Sequence, residues 1–255
     1  MGTALVRGWA AKRISPITVV EPEPSNTLVR LARGRLITLE KTMSNIRQDE
    51  FRTCVIAIKP QVLKNTARVF INIAVNEATM ISIAAGIRTD WLRSNWGPAS
   101  HVVRAMPNTP GAIGKGITGI FAATGTNADD RKIAEILLSA LGEVIWVGTE
   151  NEIDAVTAVS GSGPAYVFLL AEALEEAARA EGIPRHEAEK LARATVAGAG
   201  ALLSADDDAA SLREAVTSPG GTTEAALKVL MAEDGLAALM KRAVHAARKR
   251  AEELR

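Results

Sequence analysis

The residues able to hold a ligand fall into a few short stretches of the 255-residue chain. Val216-Thr217-Ser218-Pro219-Gly220-Gly221-Thr222-Thr223 carries glycine-rich backbone into a helix expected over 224–231. Such a turn aims several free N–H groups at one point, which suits a carboxylate or phosphate, and the hydroxyls of Thr217, Ser218, Thr222 and Thr223 add donors. An ordinary helix cap with a glycine turn reads the same way. Ser160-Gly161-Ser162-Gly163 reads as a loop before Pro164, a residue suited to the first turn of a helix. It marks either a linker into a buried helix or the place where a ligand meets a second domain. Nearer the N-terminus, Glu21, Lys59, Pro60, Ala84, Ala85, Asn108 and Thr109 each stand where an apolar run ends.

The elements around these residues change character along the chain. Strands are expected at 17–20, 53–58, 80–83, 101–106, 117–122 and 144–147, with helices at 1–9, 26–32 and 129–141. Continuous apolar strands alternating with helices, each closed by Pro, Gly, Asn or Lys, describe an α/β Rossmann-like doubly wound domain. Ligands of such sheets lie outside the carboxyl ends of the strands, so Glu21, Lys59, Pro60, Ala84, Ala85, Asn108 and Thr109 face one crevice. Each has a structural alternative: the prolines end strands, Lys59 is a surface charge, and Asn108 bonds its own turn. Glu21 is the most informative, because a carboxylate about 20 residues past a glycine-rich turn is where dinucleotide folds hold the adenosine ribose. That turn is incomplete here. Gly2 reads as its last glycine, allowing close helix-on-strand packing, and the first strand is missing, which leaves the 17–20 strand and a neighbour with unpaired edges.

From residue 150 onward only helices are expected: 164–180, 185–203, 224–231 and 236–253. The first is apolar on nearly every face and is expected to be surrounded by protein. The Ala- and Gly-rich second helix points to tightly interleaved packing. Ser211-Leu212-Arg213-Glu214 matches a capping box. Asp206-Asp207-Asp208 lacks the ligand spacing of a metal site, and no metal is expected. The expected division is 1–149 for the dinucleotide domain and 150–255 for an all-α domain.

Composition narrows the class. With 30 Lys and Arg against 29 Asp and Glu the formal net charge is +1, so nucleic acid is not the expected partner. The single cysteine, Cys54, lies in an apolar run and reads as core packing in a reducing compartment. No uninterrupted apolar segment approaches the roughly 20 residues of a membrane span, and no signal-peptide pattern is present. The expected location is the cytoplasm, with no membrane partner.

Four motifs in order, Ala57-Ile58-Lys59-Pro60-Gln61, Arg104-Ala105-Met106-Pro107-Asn108-Thr109-Pro110, Asp154-Ala155-Val156-Thr157 with Ser160 to Tyr166, and Thr217 to Thr223, closely resemble the pyrroline-5-carboxylate reductases. These are the enzymes of the last step of proline synthesis. The resemblance implies an NAD(P)H-binding domain and a helical domain that interlocks with a second copy as a homodimer, with higher assemblies built from dimers, and active sites where the domains meet. It implies that Gly2, Thr3, Glu21, Ile58, Lys59, Pro60, Ala84, Ala85 and Asn108 bind NADPH or NADH. It implies that Glu150, Ser218, Gly221, Thr222 and Thr223 bind the small-molecule substrate, with Thr223 near the imine nitrogen as the catalytic residue. A protonated imine already accepts hydride well, so positioning matters more than an acid or base. Two rival readings remain at this level. A related two-domain hydroxy-acid dehydrogenase would place a Lys in the helical domain, and neither 156–166 nor 216–223 contains Lys or His. The other rival is a non-catalytic helical dimer that has lost cofactor binding.

Overall fold

Along the strand Val102–Met106 (β5), neighbouring residues enter two different apolar layers, because successive strand side chains point to opposite faces. Val102 joins a core with Ile56, Leu63, Met80, Leu92 and Trp96. Val103 and Ala105 join another with Leu5, Trp9, Ile81, Ile120 and Leu138. A sheet buried on both faces is the doubly wound arrangement, and its strands therefore read as continuous apolar runs. The computed structural model describes residues 1–204 and 208–254. Two of the acidic connector residues, Asp206 and Asp207, lie outside the described residues.

The chain forms two compact units, Met1–Gly161 with the turns from Arg248 onward, and Ser162–Ala247. In the first, helix Gly2–Ala11 (α1) precedes strands Thr18–Val20 (β1) and Thr38–Glu40 (β2), which flank helix Asn26–Arg33 (α2). Then follow Thr53–Ile56 (β3), Pro60–Thr66 (α3), Ile71–Val75 (α4), Thr79–Ser82 (β4), Thr89–Trp96 (α5) and β5. Gly116–Ala122 (β6), Ala128–Leu138 (α6), Gly142–Trp146 (β7) and Glu150–Val156 (α7) complete it. The five-stranded sheet runs β3-β4-β5-β6-β7, with only the β5–β6 pair antiparallel. The parallel pair β1–β2 is a separate sheet. The doubly wound sheet is thus split between β1 and β3, and among the described residues each presents one edge without a strand partner.

In the second unit Gly163–Ala180 (α8) packs on Arg185–Leu203 (α9), followed by Ala209–Ala215 (α10) and Thr222–Leu230 (α11). The last helix, Leu236–Glu253 (α12), begins in this unit and ends in the first.

Several expectations are corrected. The Ser160–Gly163 stretch is not an open loop but a π-helical turn, Thr157–Gly161, in a helical run from Glu150 to Ala180. Two hydroxyls bond back to carbonyls one turn earlier at this turn: Thr157 Oγ1 donates to the Ile153 carbonyl at 2.8 Å and Ser160 Oγ to the Val156 carbonyl at 3.2 Å. That run of 31 residues has an apolar window of mean hydropathy 1.3, enough by length and composition to cross a bilayer. The sequence reading broke it at the glycines and missed this. α8 is not surrounded within the chain, where Val167, Phe168, Leu169 and Leu170 are exposed. On α9 a Cβ built at Gly198 or Gly200 meets nothing within 4 Å, so the tight interleaving is not made inside one chain. The α10 cap is Asp208, whose carboxylate accepts from the Ser211 N–H at 3.2 Å, so the helix starts a turn before the anticipated Ser211 cap.

Cys54 is half-buried against the first core, and burial pushes its thiol up from 9.0 to about 12. Its stability contribution is complete below the ordinary thiol range and is lost as pH rises from 9.0 towards about 12. A thiol reagent at pH 8 should therefore leave the folded protein unlabelled and label it fully in denaturant. Rapid labelling of the folded protein, followed by mass spectrometry, would contradict this packing.

Candidate functional site

Two sets of groups able to bind an anion are built from the residues upward, one in each unit. In the first unit, α1 has Met1 at its cap position, no side-chain cap and no acidic residue in its first turn. Its first intrahelical donors are Ala4 and Leu5, both to the Met1 carbonyl, so the Gly2 and Thr3 N–H groups have no acceptor among the described residues. This end of the helix lies against the loop after β3: a Cβ on Gly2 would sit 3.2 Å from the Ala57 Cβ. Free N–H groups, no competing carboxylate and a close backbone approach fit a pyrophosphate.

Parallel pairing sends the loops after β3, β4 and β5 out of one edge of the sheet. The first carries Ile58, packed on the core, then Lys59 in extended backbone before Pro60 opens α3. The second carries buried Ala84 and exposed Ala85; the Ala84 N–H is held by Ser82 Oγ at 3.3 Å. The third carries Asn108, whose Oδ1 accepts from the Ile117 N–H at 3.0 Å. Asn108 does brace its turn, and its Nδ2 has no partner among the described residues. Glu21 follows β1, and its Oε1 accepts from the Glu23 N–H at 3.2 Å. The structure thus brings Ile58, Lys59, Pro60, Ala84, Ala85 and Asn108 to one edge and places Gly2 beside Ala57.

Glu150 is elsewhere engaged. It starts α7 and is 7% exposed, with Oε1 accepting from the Thr89 N–H at 2.7 Å and Oε2 from the Thr89 hydroxyl at 2.9 Å. Arg88 lies 3.3 Å from Oε2, and Arg104 3.2 Å from Oε1. Arg104, 2% exposed in the middle of β5, also reaches Asp154 at 3.3 Å. One guanidinium therefore forks between two carboxylates a turn apart on α7 and ties that helix to β5, the strand whose following loop carries Asn108. Sequence reading quoted Arg104 only as part of a motif. The signal was there: a lone Arg inside an apolar strand, and Glu150 and Asp154 at i, i+4 on one helix face.

In the second unit, α11 opens at Thr222 with Gly221 as its cap. A Cβ on Gly221 would lie 2.5 Å from Ser218 Oγ and 3.0 Å from the Ser218 carbonyl oxygen, so a side chain at 221 would displace that hydroxyl. The Gly221 N–H donates to the Ser218 carbonyl at 3.0 Å. Thr217 donates its hydroxyl to the Arg213 carbonyl at 2.6 Å and is taken out of the donor set. The hydroxyls of Ser218, Thr222 and Thr223 have no hydrogen-bond partner among the described residues, and neither threonine caps the helix. Sequence reading missed Glu224, which accepts from the Gly220 N–H and pairs with Lys228 at 3.1 Å. The Gly220 N–H, and then Lys228, hold its carboxyl below the usual carboxylate range. Ligand binding at this turn is left to the three hydroxyls and the first N–H groups of α11. Among the described residues no three His, Cys, Asp or Glu side chains converge as a metal site.

Comparison with known proteins separates the possible chemistries. The profile described as pyrroline-5-carboxylate reductase dimerisation matches residues 150–254. The pyrroline-5-carboxylate reductase of Pseudomonas aeruginosa is 43% identical over 201 residues, covering 78% of this chain and 73% of that protein. This chain belongs to the pyrroline-5-carboxylate reductase family. A solved pyrroline-5-carboxylate reductase from Coxiella burnetii superposes with a TM-score of 0.91 at 36% identity, over 99% of this chain and 94% of that one. A solved pyrroline carboxylate reductase from Plasmodium falciparum, with NADP bound, gives 0.80 at 25% identity over 100% and 94%. The fold of this chain is thus shared, over nearly its whole length, with solved pyrroline-5-carboxylate reductases.

Proposed function

We propose that this chain reduces 1-pyrroline-5-carboxylate to L-proline with NADH or NADPH, the last step of proline synthesis, in the cytoplasm. The observation that carries the reading is the turn from Ser218 to Thr223 in a member of this family: three unpartnered hydroxyls and helix N–H groups with no catalytic base. We assign the substrate carboxylate to Ser218, Gly221 and Thr222, and the imine nitrogen to Thr223. Gly2 and Thr3 take the pyrophosphate on their N–H groups, Glu21 the adenosine ribose, and Ile58, Lys59, Pro60, Ala84, Ala85 and Asn108 the rest of the cofactor. When bound, the reduced nicotinamide supplies a hydride for the imine carbon. The chain's part is to orient two rings, hydrogen-bond the carboxylate, and hold the proton on the ring nitrogen through Thr223. For Glu150 we propose a positioning role, since both its oxygens are taken up by Thr89, Arg88 and Arg104.

The functional division then falls between 149 and 150, with 150–255 as the dimer module. The exposed Val167, Phe168, Leu169 and Leu170 of α8 are covered by a second copy, not by lipid. The start of that helical run is pinned to β5 by Arg104, which a membrane span would have to break. An absorbance assay at 340 nm, run with 1-pyrroline-5-carboxylate and separately with 2-hydroxy acids, tests the substrate class. Turnover restricted to hydroxy acids overturns it.

Glu21 directs cofactor choice. A carboxylate accepts bonds from both ribose hydroxyls and repels a 2′-phosphate, so catalytic efficiency is expected to favour NADH and to shift towards NADPH in Glu21→Ser. The same NADPH preference in both proteins would end that assignment.

A further inference from the structure

The loop after β4 that carries Ala84 and Ala85 is held at its two ends by the sheet and by α7. The Ile83 N–H donates to the Ile56 carbonyl at 3.1 Å, and Thr89 donates through both its N–H and its hydroxyl to Glu150. Between these anchors stands Gly86, at φ +72°. A Cβ built there would lie 2.7 Å from the Leu254 carbonyl oxygen, 3.2 Å from its carbonyl carbon and 3.4 Å from its Cβ. The middle of the loop is therefore backed by main chain from the end of α12, where Ala251 is buried although the Leu254 side chain is half exposed. Left-handed backbone and the absence of room for a methyl group both make residue 86 a glycine.

We propose that the C-terminal end of α12 is a positioning element for the dinucleotide groove: the main chain at Leu254 fixes the course of the loop at Gly86, and so the place of Ala84 and Ala85. This rests on the dinucleotide reading of the first unit. Two consequences follow. Removing the backing lets the loop sample conformations that do not bind, which weakens cofactor affinity by the fraction lost. By reciprocity, an occupied groove must tighten the C-terminal turn.

The test uses the full-length protein and a variant ending at Glu253. The KM for NADH is expected to rise about 3- to 10-fold in the short form, while kcat and the KM for 1-pyrroline-5-carboxylate stay within about twofold. In the full-length protein, saturating NADH should slow amide exchange over 250–254 as well as over 83–89. Gly86→Ala should raise the NADH KM in the full-length chain and do so by a smaller factor in the shortened one, where the collision with Leu254 is gone. An unchanged NADH KM on shortening, protection confined to 83–89, or equal Gly86→Ala factors in both backgrounds would each overturn the proposal. If NADH leaves nicotinamide fluorescence unchanged at all concentrations, the dinucleotide reading itself fails, and this inference falls with it.

Discussion

Arg104→Met is expected to remove about 3–5 kcal/mol from the stability of the first unit, because it leaves Glu150 and Asp154 facing each other without their shared cation. The three side chains are 2%, 7% and 1% exposed, so water cannot replace the guanidinium. At roughly 2–4 °C per kcal/mol for a unit of this size, the melting temperature should fall by about 6–20 °C. Arg104→Lys keeps the charge but cannot fork between two carboxylates, and should fall in between. Replacing all three charged groups by apolar residues of similar volume should recover part of the loss, which separates the cost of stranded charge from the value of the cluster. Thermal unfolding followed by circular dichroism decides it. A melting temperature for Arg104→Met within 2 °C of the parent would show that the cluster is not what ties α7 to β5.

The second large effect is on turnover. Thr223→Ala should lower kcat about 10- to 100-fold, the loss of one hydrogen bond at the reacting nitrogen, with the melting temperature unchanged. The structure sharpens this expectation, because Gly221 is the α11 cap and the Thr223 hydroxyl makes no capping bond whose loss would destabilise the helix. Thr222→Ala, one residue earlier, should raise the substrate KM more than it lowers kcat. A Thr223→Ala protein that melts early but turns over normally per folded molecule would return the residue to a structural role.

Much of the first unit was legible because buried parallel strands are continuous apolar runs, and the runs at 102–106 and 116–122 need no partner to be recognised. β2 was missed: Thr38–Glu40 is three residues long and borrows its strand character from pairing with β1. α9 and α12 were readable to the residue, since long helices with clear stops declare themselves. The π-helical turn was not, because Ser-Gly-Ser-Gly signals a loop locally, and only the back-bonding of Thr157 and Ser160 shows how helix continues through it. The apolar character of α8 was read correctly, but its exposure within one chain was not legible, because a single sequence does not separate burial by its own chain from burial by a second copy. In the site, hydroxyl and glycine positions were visible from spacing. Arg104 and the i, i+4 pair Glu150 and Asp154 left a signal in the sequence, but their pairing runs across elements and shows only in the fold, whereas Glu224 bonds locally to Gly220 and Lys228 and was overlooked.

The most direct test of the central claim follows the hydride itself. The protein is incubated with 1-pyrroline-5-carboxylate and NADH carrying deuterium at the transferred position of the nicotinamide, and the product is read by mass spectrometry and NMR. L-Proline with one deuterium at C5, formed in step with NADH consumption and slowed by Thr223→Ala, is the predicted result. NADH that binds without being consumed, or is consumed with no deuterium at C5 of proline, would contradict the account.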